Sequence, residues 1–238
     1  MSADRSARRL LPLAALLCLV FIALGTWQVE RRAWKLDLIA RVDQRVRAEP
    51  AAPPGPRDWP RVDAAHDEYR RVRLDGRFLD DRPTFVQAVT DLGAGYWVIS
   101  ALRQDDGEVV LVNRGFVDPE ARATVAPALG PATVVGLLRL TEPGGGFLRH
   151  NDPAANRWYS RDVAAIAAAR GLARVAPYFV DAQQVTAPPA AGTVPVPGLT
   201  VIAFHNSHLV YALTWYTLAA MSAGAAWRSM RGERRGQD

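Results

Sequence analysis

His205-Asn206-Ser207-His208-Leu209-Val210-Tyr211-Ala212-Leu213-Thr214-Trp215-Tyr216 leads from a polar stretch into nineteen uncharged residues, Leu209 to Trp227. At 1.5 Å per residue, a helix of that length crosses most of a hydrocarbon core about 30 Å thick, so the stretch predicts the mouth of a transmembrane helix. His208, Tyr211, Ala212 and Trp215 follow i, i+3, i+4, i+7 spacing and share one helical face. An imidazole, a phenol and an indole are therefore expected together at a membrane edge.

Outward from this stretch, a second uncharged run extends over twenty residues from Leu10 to Val29. Arg5, Arg8 and Arg9 precede it, and Arg228, Arg231, Arg234 and Arg235 follow the C-terminal run. The first run exceeds the apolar region of a cleavable signal, and a bulky Trp27 and a continuing helical pattern follow it, so it reads as an anchor. The formal net charge of +5 is concentrated at the two ends, while residues 28–208 carry only +1. By the positive-inside rule both termini are expected in the cytoplasm and the central segment outside it. The basic balance thus reports topology and not nucleic-acid binding. Cys18, the one cysteine, lies inside the first run, which excludes an intrachain disulfide, a thiolate metal cluster and a CxxC redox pair.

The expected organisation is a cytoplasmic N-terminus (1–9), a first span (10–29), a helical extension with a Pro-rich linker (30–60), an extracytoplasmic domain (61–187), a second linker (188–208), a second span (209–227) and a basic cytoplasmic tail (228–238). The helical pattern of the first span continues to about Arg47 and should stop before Pro50. Pro50, Pro53, Pro54, Pro56 and Pro60 make one extended linker, and the Ala/Pro/Gly stretch from Ala187 to Gly198 makes its counterpart. Between them, Tyr69–Leu79, Thr84–Val89, Tyr96–Leu102, Val109–Val117, Thr133–Leu140 and Tyr178–Val185 alternate or are rich in β-branched and aromatic residues, and read as strands. Asp105, Asp106 and Gly107 supply a hairpin turn. Ser160 or Asp162 can cap a helix that runs to Arg170 and ends at Gly171. The fold class expected is α+β: two transmembrane helices flanking a mainly antiparallel sheet or partly closed barrel with one or two helices.

Enzyme signatures such as GxSxG, HExxH, a P-loop or GxGxxG do not occur, and Gly144, Gly145 and Gly146 read as a surface loop. Of the four histidines, His66 reads as solvated surface and His150 as part of a turn, with an enzymatic role only if an enclosed polar pocket surrounds His150 and Asp152. His208 can ligate a haem iron or a transition metal through one neutral ring nitrogen, or only hydrogen-bond the loop above its helix. His205, one turn earlier, is the weaker candidate. At the outer end of the first span Gly25, Trp27, Gln28, Arg31, Trp34 and Lys35 form a mirror feature. If the two spans pack together, Trp27, Gln28 and Arg31 come close to His208 and Tyr211.

Gly25-Thr26-Trp27-Gln28 with Arg31, Trp34 and Lys35, and Asn206 through Tyr216, resemble the two helix signatures of the surfeit locus protein 1 family of cytochrome c oxidase assembly factors. Val112-Asn113-Arg114-Gly115-Phe116-Val117 is similar to a central segment of that family, as are Asn151-Asp152-Pro153, Asn156, Trp158-Tyr159 and Asp162 to a later block. Phe116 stands where tryptophan is more usual and Asp118 where proline is common. The resemblance runs from about Leu10 to Ala220. It implies a non-enzymatic factor of the bacterial inner membrane that binds haem a and assists its insertion into oxidase subunit I, with subunit I and haem a synthase as partners. It further implies His208 as the iron ligand; in that reading Tyr211 and Trp215 would line the haem face, and Gln28 and Arg31 would steady its polar edge. The alternative is a membrane-anchored scaffold that stabilises an oxidase intermediate without binding haem, with Asn113, Arg114 and Gly115 as its docking surface.

Overall fold

A computed structural model describes residues 2–80, 83–146, 148–188, 190–200 and 206–235. The chain divides into two compact units, one of residues 1–41 with 203–238 and one of residues 42–202.

The second unit is built on a six-stranded mixed sheet. Its strands are β1 (Arg71–Asp80), β2 (Thr84–Thr90), β3 (Gly93–Gln104), β4 (Val109–Val117), β5 (Ala128–Leu140) and, after two short strands β6 (Gly145–Gly146) and β7 (Arg149–His150), β8 (Val175–Thr186). The order is β1-β5-β8-β4-β3-β2, with a further pairing of β1 to β3 from Gly76↔Gln104 to Phe78↔Leu102. That pairing closes five strands into a ring and leaves β2 attached to the first half of β3. The expected partly closed barrel is therefore present. All neighbours are antiparallel except β4 and β8, which run parallel.

Alternation explains the barrel's interior, because successive side chains on a strand point to opposite faces. Val72, Leu74 and Phe78 of β1 meet Val110 and Val112 of β4, Val134 and Leu138 of β5, and Tyr178 and Val180 of β8 in one buried cluster. The opposite faces of β3, β4 and β8 form a second cluster, in which Ile99, Val109, Leu111 and Phe179 pack against Trp158 and against α2 (Val163–Ala169). Strand β4 lies between the two clusters, so all nine of its residues are buried. Each such aliphatic or aromatic side chain contributes about 1.5–3 kcal/mol by burial.

Helix α2 begins where the sequence predicts. The Asp162 carboxylate accepts from Ala165 N at 3.0 Å as its N-cap and from Gly144 N at 2.9 Å with its other oxygen. The glycine run, expected as a plain surface loop, forms the short β6–β7 hairpin.

Both stretches read as linkers are bonded to the sheet. Ala51 exchanges hydrogen bonds with Arg71 and Arg73, and the Pro54 carbonyl accepts from the Tyr178 hydroxyl at 2.7 Å and the Trp59 indole at 3.0 Å. Val196 exchanges two main-chain bonds with Phe116, each 2.9 Å, and Thr193 bonds Thr124 and Ala126. Proline fixes its own φ and lacks an N–H, yet the neighbouring amides remain free to pair.

The first unit contains α1 (Ser2–Arg47) up to Arg41 and α3 (His208–Arg235). Each is long and apolar enough to cross a membrane, within Pro12–Arg47 and His208–Arg228, which fits a membrane protein. Their hydroxyls bond the helix's own backbone: Thr26 to Ile22, Thr214 to Val210, Thr217 to Leu213 and Ser222 to Leu218. This satisfies polar groups where lipid offers them no partner.

Candidate functional site

The α1 residues turned away from the outside include Cys18, Phe21, Gly25 and Gln28; those of α3 include His208, Ala212, Trp215, Ala219 and Ser222. Both series step by threes and fours, the spacing of a helix–helix seam. Phe21 stacks on Trp215 with centroids 5.7 Å apart and an interplanar angle of 26°. Seven residues later on α1 and seven earlier on α3, Gln28 meets His208. The two helices therefore run antiparallel, with two turns, about 10.5 Å of rise, between the contacts.

Between those two contacts lies Gly25. A Cβ built there comes within 2.7 Å of Tyr216 Cε1 and 2.9 Å of its Cδ1, so glycine is what admits the phenol ring. The Tyr216 hydroxyl reaches Thr26 Oγ1 at 3.2 Å.

At the mouth of α3, His208 Nδ1 is 2.8 Å from Gln28 Oε1. Gln28 is buried and His208 half-buried. Nε2 makes no hydrogen bond to any of the described residues. The helix starts from Ser207, whose carbonyl accepts from Val210 N at 3.1 Å and Tyr211 N at 3.3 Å. The Asn206 Oδ1 atom is buried with no partner among the described residues. His205 lies outside the described residues.

The expected site residues thus separate into three groups. His208 and Gln28 are in direct contact. Trp215 belongs to the seam, two turns from His208, and is stacked on Phe21; Tyr211 turns outward and is 53% exposed. Arg31 is exposed, its guanidinium 4.2 Å from the centroid of the Trp34 ring, a cation–π pair just past the uncharged run of α1. Trp27 and Trp34 also face outward, as interfacial anchors do. Phe21 and Tyr216 were not anticipated. The signal for Phe21 was its position seven residues before Gln28, mirroring Trp215 seven after His208.

The central segment has a different role from the docking surface expected of it. Asn113 and Arg114 are buried, not exposed. Asn113 Nδ2 donates to Asp181 Oδ1 at 2.8 Å, its Oδ1 accepts from Gly115 N at 3.2 Å, and Arg114 donates to the Ala126 carbonyl at 2.9 Å. Gly115 has φ +132, and a Cβ there would stand 2.3 Å from the Val196 carbonyl oxygen. A side chain would break the pairing that fixes Val196 to Phe116 of β4.

Asp181 is the centre of a buried polar network. Arg139 reaches it at 3.1 Å, Arg161 at 3.2 Å and Thr200 at 3.0 Å. Arg161 also pairs with Glu142 and Arg139 with Glu68. Burial alone would raise the Glu142 carboxyl, but the Arg161 guanidinium overcomes it and holds the group below its ordinary value. Every charge in the network has a partner, as a structural role requires. His150 is exposed and Asp152 is paired with Arg157, and among the described residues no enclosed polar pocket surrounds them. His66 is likewise exposed, beside Asp63.

Residues 15–220 match the sequence model of the SURF1 family. The chain belongs to the SURF1 family. Surfeit locus protein 1 of Mus musculus is 37% identical over 221 residues, 84% of this chain and 69% of that protein. Surfeit locus protein 1 of Homo sapiens is 35% identical over 222 residues, covering 84% and 70%. The SURF1-like protein of Monosiga brevicollis is 37% identical over 230 residues, covering 89% and 84%. The SURF1 family match includes both Gln28 and His208, and also Asn113, Asp181 and Gly115.

A haem, the group implied by the family resemblance, needs an axial donor and an apolar flank. Among the described residues no group of three or more His, Cys, Asp and Glu side chains could hold a bare metal ion. A single imidazole with one uncommitted nitrogen does suit a haem, whose four remaining equatorial donors are its own. Leu209, Val210 and Leu213 are exposed on α3, as are Val29 and Trp34 on α1, and offer apolar side chains on the two helices that carry the contact.

Proposed function

We propose that this chain is an assembly factor for haem-copper cytochrome c oxidase, a non-enzymatic carrier that binds haem a at the membrane interface and assists its insertion into subunit I. His208 supplies the axial nitrogen. Gln28 holds the imidazole from behind, Tyr211 flanks it on the outward side, and Arg31 offers a cation to a propionate at the polar end. Trp215 stiffens the seam beneath. Haem a is cargo here, received from haem a synthase and handed to subunit I. The two spans lie in the bacterial inner membrane with both termini in the cytoplasm and residues 61–187 on the periplasmic side.

The observation that carries the reading is the His208–Gln28 contact, which occupies Nδ1 at 2.8 Å and leaves Nε2 without a hydrogen bond among the described residues. A ring nitrogen so left, at the mouth of an apolar helix, is what an interfacial haem ligand requires. The scaffold alternative loses the surface named for it, because Asn113 and Arg114 are buried.

The two readings separate in cells that make haem a but lack oxidase subunit I. A carrier purified in detergent from such cells retains haem a. A scaffold carries haem only when subunit I copurifies, and a haem-free chain from these cells contradicts the proposal.

A further inference from the structure

Gln28 is a neutral side chain buried in a helix seam, where a polar group needs a partner. Its Oε1 faces His208 Nδ1 at 2.8 Å, a hydrogen-bond distance. A carboxamide oxygen can only accept, so the ring nitrogen opposite must carry the proton. A neutral imidazole carries one, which leaves the lone pair on Nε2. Turning the amide over would reverse this: an amide N–H would donate to Nδ1, the proton would move to Nε2, and that nitrogen could no longer ligate.

From this geometry we infer that Gln28 is a positioning residue, which selects the Nδ1–H tautomer of His208 and so presents the Nε2 lone pair to an incoming haem iron. The inference rests on the carrier reading for its purpose, but the tautomer is a property of the haem-free chain. Gln28 reaches His208 because its own helix is fixed against α3. Two turns away Phe21 stacks on Trp215, and between them the Tyr216 ring lies against Gly25. The register that brings Gln28 to His208 is set by those contacts and not by the hydrogen bond alone. The acceptor is also uncharged. A carboxylate in its place would push electron density onto the imidazole and strengthen its hold on iron, whereas an amide orients the ring with less such donation. That suits a protein that must give its cargo up.

The test uses the full chain in detergent with ring-15N-labelled histidine. With four histidines in the sequence, the His208 signals are assigned by their loss in His208→Ala. In the haem-free wild type the expected result is a pyrrole-type shift at Nδ1 and a pyridine-type shift at Nε2. Gln28→Ala is expected to give a tautomer mixture and to retain haem a about tenfold or more less tightly, the usual loss when a partner of a metal-ligating histidine is removed. Gln28→Glu, which restores an acceptor, is expected to recover both the Nδ1–H form and haem retention. A wild-type ring protonated at Nε2 overturns the inference, whether or not Gln28→Ala folds. So do unchanged tautomer and haem retention in Gln28→Ala. A wild-type chain that binds no haem a while its proton stays on Nδ1 supports the tautomer assignment and counts against the carrier reading.

Discussion

Asn113 Nδ2 donates to Asp181 Oδ1 at 2.8 Å, joining β4 to its parallel neighbour β8 inside the barrel wall. Asp181 is 2% exposed and is shared by Arg139, Arg161 and Thr200. Asp181→Ala leaves two partly buried guanidinium groups without their shared anion, and breaking a buried pair in this way costs about 3–5 kcal/mol. Asn113→Ala removes a neutral donor and should cost about 1–3 kcal/mol. Thermal unfolding of the full chain in detergent checks both; an Asp181→Ala variant as stable as wild type would contradict the network's structural role.

Glu142 makes a pH-dependent contribution. Its carboxyl is held below its ordinary value of 4.5 by Arg161, against the effect of burial. For a carboxylate lowered in the folded state, the unfolded chain takes up protons first as pH falls. The stabilisation is therefore complete above about pH 4.5 and is lost as pH drops through the lower folded value. Glu142→Gln should be less stable than wild type at pH 7, with the difference shrinking below pH 4.5. Equal differences at pH 7 and pH 3 would contradict it.

Gly25 and Tyr216 form a size-matched pair. Gly25→Ala puts a methyl carbon 2.7 Å from the phenol ring, an overpacking that should cost about 1–3 kcal/mol. Tyr216→Ala loses packing on its own but makes room for that methyl. The double variant is expected to be more stable than the sum of the single changes predicts, as for residues in contact. Strict additivity in detergent unfolding would mean that the helices do not pack through this pair.

Much of this was written in local pattern. The strands were legible from alternation and the α2 cap from Asp162. Strand β5 begins at Ala128, before the expected Thr133, and runs through Gly130 and Pro131. β8 pairs with β5 only from Thr133, so Pro131 occupies a stretch with one free edge, where a residue without an N–H is tolerated. The parallel β4–β8 pairing and the ring closure at Gly76–Phe78 join segments far apart in sequence, and no local pattern encodes them. Proline-rich composition suggests linkers, but the amides that bind Ala51 and Val196 to the sheet belong to residues between prolines. At the site, periodicity located His208 on its face. It could not supply the helix register that pairs His208 with Gln28, 180 residues away, or that takes Trp215 to Phe21.

Absorbance spectroscopy tests directly the proposal that His208 holds haem iron. Wild-type protein and His208→Ala are purified in parallel from cells making haem a, and haem per chain is read from the spectrum. Haem a is expected in the wild type and is expected to be lost from His208→Ala, with thermal unfolding near that of wild type. Equal haem content in the two proteins would contradict it.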